Sequence, residues 1–96
     1  MGIPELLQHK REAILRIAAK YGVRHVRVFG SVARGEAAPQ SDVDFLIEVG
    51  PTHSFFFPGG LVADLEALLG RKVDVVEPEG LYPPLKERVL REAVPL

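Results

Sequence analysis

Cysteine and asparagine are both absent from this 96-residue chain. Without cysteine there is no disulfide, no thiolate zinc site and no thiol nucleophile, so any chemistry must come from other side chains. Loss of thermolabile amides is one trend among heat-adapted proteins, and arginine outnumbers lysine eight to four, which hints at a thermophilic source. No apolar run approaches the roughly 20 residues that a membrane span needs, and the N-terminus does not resemble a signal peptide, so the expectation is a cytoplasmic protein. A formal net charge of −1 leaves no basic footprint for nucleic acid or an anionic membrane, which argues against either as a primary partner. There is no repeat and no low-complexity tract. The length supports one hydrophobic core, and residues 1–96 are expected to form a single domain.

Periodicity organises what is there. Ile3, Leu6, Leu7, Ile14, Ile17, Ala18 and Tyr21 form a helical stripe over residues 3–21, with Pro4 in the first turn and Gly22 as a stop. Val23–Phe29 alternates as a strand. Gly30-Ser31 opens a short helical segment to Arg34, and GEAAPQS follows as a loop. In residues 42–49, Val43, Phe45, Ile47 and Val49 face one way, while Asp42, Asp44, Leu46 and Glu48 face the other. Gly50–Gly60 reads as a loop carrying SFFFPGG. An amphipathic helix from Leu61 to Leu69 ends at Gly70, residues 72–76 form a third strand, and Leu85, Val89, Leu90 and Ala93 mark a final helix. The order predicts an α/β (α+β) fold in which a small mixed sheet of three to four strands packs with helices.

Two aspartates interrupt the second strand. Positions i and i+2 share a face, so Asp42 and Asp44 present carboxylates whose Cα atoms lie roughly 6–7 Å apart. That spacing can bracket metal ions used in two-metal phosphoryl chemistry, and an all-oxygen donor set suits Mg²⁺ or Mn²⁺. Asp74, set among valines, becomes a third member if the third strand lies beside the second. Three clustered acids repel one another unless a cation intervenes. Gly30-Ser31 provides the complementary half: a strand running through glycine into a helix start exposes backbone N–H groups to phosphate, and Arg34 could add charge. Together these features point to a nucleoside triphosphate.

Blander readings stand beside each. Gly30-Ser31 alone is an ordinary turn and cap; Asp74 could guard a sheet edge; Arg34 could pair with Glu36. Glu48 shares the acidic face but lies too far along the strand. His9, His25 and His53 show no ligand spacing. The run Phe55-Phe56-Phe57 reads as core lining, though three consecutive aromatics cannot all point inward, and Tyr82 is an interface or loop aromatic.

Gly-Ser, ten residues, then Asp-x-Asp, with a later aspartate in a valine-rich strand, resembles the polymerase-β-type nucleotidyltransferases. More narrowly, GSVARG, SDVDFLIEV, LEALLGRKVDVV and LKERVLREAV resemble the minimal nucleotidyltransferases, antitoxin partners of HEPN-domain proteins. The resemblance implies a nucleotidyltransferase-type fold and a metal-dependent enzyme that transfers AMP from ATP to a hydroxyl, a tyrosine of the HEPN toxin. Asp42, Asp44 and Asp74 would be the catalytic, metal-holding residues, and Gly30, Ser31 and Arg34 the nucleotide-binding ones. Mg²⁺ or Mn²⁺ would be the cofactor. The alternative is a non-catalytic antitoxin that masks its partner, and the aromatic-rich loop suggests a homodimer. SFFFPGG departs from the family pattern, because Pro58-Gly59-Gly60 breaks the expected helical approach to the next helix.

Overall fold

The computed structural model describes residues 3–38, 40–51 and 57–96. The N-terminal stripe forms two helices, α1 (Ile3–His9) and α2 (Arg11–Lys20), where its periodicity predicts one. Lys10, at φ −100° and ψ 10°, makes the break. Hydrogen bonding nevertheless continues through it, from the Lys10 N–H to the Leu6 carbonyl at 3.0 Å and from the Ile14 N–H to the Lys10 carbonyl at 2.9 Å. The apolar face is therefore kept, with Ile3, Leu7, Ile14, Ala18 and Tyr21 all buried.

The chain continues through β1 (Val23–Phe29), α3 (Gly30–Ala33), β2 (Val43–Val49), α4 (Gly59–Leu69), β3 (Val73–Val76), a 3-10 turn at Pro78–Gly80, α5 (Pro83–Glu92) and β4 (Val94–Pro95). The four strands form one mixed sheet in the order β3-β2-β1-β4. β2 lies antiparallel to β1 and parallel to β3, with α4 as the crossover, while β4 lies antiparallel to β1. The sequence pattern locates three of these strands. β4 is added by tertiary pairing of Val94 and Pro95 with Val28 and Arg27, at an edge where proline's missing N–H is tolerated.

One face of the sheet carries the core. Val43, Phe45 and Ile47 pack with Val26 and Val28 against Ile14 and Ala18 of α2 and Leu61, Leu65 and Leu69 of α4. Burying side chains of this size contributes about 1.5–3 kcal/mol each. Leu46, on the opposite face with the acids, is also buried, but outside this cluster and beside the 3-10 turn with its buried Pro78.

α4 begins two residues before the expected Leu61, and the Pro-Gly-Gly sequence is its start rather than a break: Pro58 is the N-cap, and Gly59 and Gly60 form the first turn. A Cβ on Gly60 would stand 2.8 Å from the Tyr21 ring, so the glycine allows α4 to approach α2 there. Tyr21 then donates its hydroxyl to Asp64 of α4 at 2.7 Å. Phe57 is half-buried against the core, whereas Phe55 and Phe56 lie outside the described residues. α5 differs from the other long helices: it buries only Val89, leaving Tyr82, Leu85 and Leu90 exposed. Among the described residues no helix is long and apolar enough to cross a membrane.

Candidate active site

Asp44 sits on β2, between β1 and β3. It is register partner to Phe29 at the end of β1 and to Asp74 on β3. Parallel pairing therefore places Asp44 and Asp74 side by side, as the sequence anticipates. Asp42 lies just before β2 and is exposed. Its neighbours fix the approach: the Val43 N–H donates to the Lys72 carbonyl at 3.0 Å, and Arg71 Nη1 donates to the Ser41 carbonyl at 3.2 Å. Ser41 Oγ accepts the Ala38 N–H at 2.8 Å, closing the preceding loop. On the other side, the Val73 N–H donates to Glu66 of α4 at 3.0 Å, tying β3 to its crossover helix.

Beyond Phe29 the chain turns sharply at Gly30, which has φ +75°. This left-handed conformation favours glycine. Space demands it as well: a Cβ at Gly30 would overlap Oδ2 of Asp44 and lie 3.2 Å from its Cγ. The backbone thus passes directly against the central carboxylate and continues into α3 with Ser31, which is half-buried.

Asp44 is the electrostatic focus. Burial first, then the charges of Asp74 and Asp42, push its carboxyl above the usual carboxylate range, and Arg34 pulls it partly back. Crowding of this kind is what a cation relieves. The donor set, carboxylate oxygen alone, fits a hard divalent ion and not a thiophilic one. The aspartates interact without converging: among the described residues no three His, Asp or Glu side chains close into a ready-made metal cage.

Arg34 ends α3 in ion pairs. Its Nε donates to Glu36 at 2.9 Å and its Nη1 to Glu92 of α5 at 3.3 Å. The pair with Glu36 is legible from their proximity in sequence. Glu92 is not, because it arrives from 58 positions away and no local motif marks it. Glu48 lies apart from the acids, paired with Arg27 at 3.4 Å. His9 and His25 are exposed and join no cluster, and His53 lies outside the described residues. An apolar cavity of about 200 Å³ between α1, α3 and β4, lined by Leu7, Val28, Val32 and Leu96, includes none of the aspartates.

Residues 10–96 match the nucleotidyltransferase domain family. Protein adenylyltransferase MntA of Thermococcus cleftensis is 42% identical over 89 residues, covering 93% of this chain and 86% of the relative. A Methanocaldococcus jannaschii protein provisionally named as a protein adenylyltransferase is 40% identical over 84 residues, covering 88% and 90%. Among solved structures, one provisionally assigned as a minimal nucleotidyltransferase superposes with a TM-score of 0.86 at 48% identity, covering 100% of this chain and 97% of its own. A toxin–antitoxin structure with AMP-PNP shares the fold at a TM-score of 0.72 and 20% identity, covering 88% and 69%. Aligned carboxylates beside a glycine turn, the mixed sheet that carries them and these likenesses converge: the chain belongs to the nucleotidyltransferase domain family, in its minimal branch.

Proposed function

We propose that this enzyme transfers AMP from ATP to a hydroxyl of a partner protein, a tyrosine of a HEPN-domain toxin, and so acts as its antitoxin. The observation that carries the reading is Asp44, crowded by Asp74 and Asp42 while the Gly30 backbone presses against it. The names of the relatives support it: protein adenylyltransferases by sequence, and toxin–antitoxin proteins, one with AMP-PNP, by fold.

Asp42, Asp44 and Asp74 would hold Mg²⁺ or Mn²⁺, which supplies charge neutralisation at the triphosphate and a lowered pKa for the acceptor hydroxyl. The residues of the chain do the rest. The backbone at Gly30 and Ser31 lets a phosphate come close, and Arg34 offers it charge. Asp74, exposed at its register position beside Asp44, orients the acceptor O–H and takes up its proton. The acceptor oxygen bonds to the α-phosphorus as the bond to the bridging oxygen breaks, and pyrophosphate leaves.

Masking without catalysis is the second reading, favoured by Tyr82 and Leu85 standing 67% and 48% exposed near the start of α5. Calorimetry of ATP binding with and without Mg²⁺, on wild type and on Asp42→Asn/Asp44→Asn, tests the first. Metal-dependent binding lost in the double variant is expected, with transfer of label from α-labelled ATP to the partner. Wild-type protein that binds no ATP at millimolar concentration, alone or with its partner, refutes the enzyme and leaves masking.

A further inference from the structure

Arg34 is held by carboxylates from two parts of the chain. Glu36, two residues on, accepts from Nε, and Glu92, at the end of α5, accepts from Nη1. The other oxygen of Glu92 accepts from Arg88 Nε at 3.1 Å, one turn earlier in α5. The result is a chain of charges, Glu36–Arg34–Glu92–Arg88, laid across the contact between α3 and α5.

The two anchors are not equivalent. The Glu36 side chain is 64% exposed, whereas that of Glu92 is 25% exposed and braced by Arg88. A guanidinium is a rigid plane with five N–H donors, so fixing two different nitrogens fixes the plane. These anchors occupy one N–H on Nε and one on Nη1, and among the described residues no hydrogen bond engages Nη2, which keeps two N–H donors for a ligand. Arg34 caps the C-terminal end of α3, whose first residue, Gly30, stands against Asp44, and its positive charge opposes the rise at Asp44. A long arginine left loose pays rotamer entropy when it meets a phosphate; one ordered beforehand does not.

We infer that Glu92 is a positioning residue, which locks the Arg34 guanidinium so that its Nη2 edge meets the triphosphate and ties α5 to the nucleotide site. This rests on the reading of Arg34 as a nucleotide ligand. The test is Mg-ATP affinity by calorimetry for wild type, Glu92→Gln, Arg34→Ala and the double variant. Glu92→Gln weakens binding about three- to tenfold when Arg34 is present and not at all when it is absent. An equal loss in both backgrounds means a merely structural role for Glu92, and unchanged or tighter binding means that Glu92 is idle or competes with the phosphates. Either outcome overturns the inference. If Arg34→Ala alone binds normally, the reading of Arg34 falls; if wild type does not bind Mg-ATP, the proposed function falls first. Arg88→Gln touches only the brace on Glu92, and is expected to give a smaller loss in the same direction. It reports on the same coupling should Glu92→Gln fail to fold by circular dichroism.

Discussion

Replacing Gly30 with alanine separates backbone strain from damage to the acid cluster. At φ +75° the alanine must hold a left-handed conformation, which costs about 1–2 kcal/mol. Its Cβ also overlaps Oδ2 of Asp44 and stands 3.2 Å from Cγ. Relieving that overlap moves a half-buried carboxylate or the turn itself, adding about 1–3 kcal/mol. For a domain of this size each kcal/mol lowers Tm by about 4–8 °C, so Gly30→Ala is expected to melt on the order of 15 °C below wild type. Gly35 is the matched control, with φ +72° and nothing within 4 Å of a built Cβ. Gly35→Ala therefore pays strain alone, a fall of about 5–10 °C. Activity divides the two more sharply. Shifting Asp44 by an ångström costs on the order of a hundredfold in rate, so pyrophosphate release collapses in Gly30→Ala and survives in Gly35→Ala. In an Asp44→Ala background the extra instability of Gly30→Ala disappears, because the atoms it strikes are gone. Equal melting points for the two glycine variants, or full activity in Gly30→Ala, would refute the close approach as the reason for glycine.

Asp44→Asn is expected to stabilise the fold at pH 7 while abolishing transfer. The Asp44 carboxyl lies above its ordinary 3.8 in the folded chain, so the folded state holds the proton more tightly than the unfolded state does. Stability is consequently lost as pH rises from about 4 through the folded value, and the gain on substitution vanishes in melts at pH 3. Asp64 runs the other way: the Tyr21 hydroxyl first, then Lys20, holds its carboxyl below the usual range. Tyr21→Phe should thus lower Tm at neutral pH, and by less as the pH falls below the ordinary 3.8 and on through the lower value at which folded Asp64 takes up its proton. No change in Tm at pH 7 would show the Tyr21–Asp64 bond to be idle.

Much of the candidate site's placement on the sheet was legible because its determinants are local. Alternation assigned Val43, Phe45 and Ile47 to one face and Asp44 to the other, and an acid amid valines marked Asp74. Their side-by-side placement needed one further inference, the parallel neighbour, which the crossover helix made natural. What escaped was set by distant partners. Nothing in Val94-Pro95 announces a strand until β1 offers its edge. The break at Lys10 falls where the apolar stripe skips a turn, from Leu7 to Ile14, and Ile14 returns in phase, so the periodicity still reads as one helix. Pro58-Gly59-Gly60 reads as a loop by propensity, yet it opens α4, with Gly60 leaving room there for the Tyr21 ring. Glu92 is one of several charges on a polar helix face, and only the packing of α5 beside α3 singles it out.

The crossover also bears on the order in which the protein matures. β1 and β2 are consecutive strands joined by an antiparallel pairing, whereas β3 pairs with β2 across a connection that contains α4. Contacts of that range form late, since loop closure must precede their reward. A chain arrested with only its first two strands paired would carry Gly30, Asp42 and Asp44 but lack Asp74. Until β3 pairs with β2, Asp44 stands without the neighbouring carboxylate that raises its proton affinity in the finished sheet.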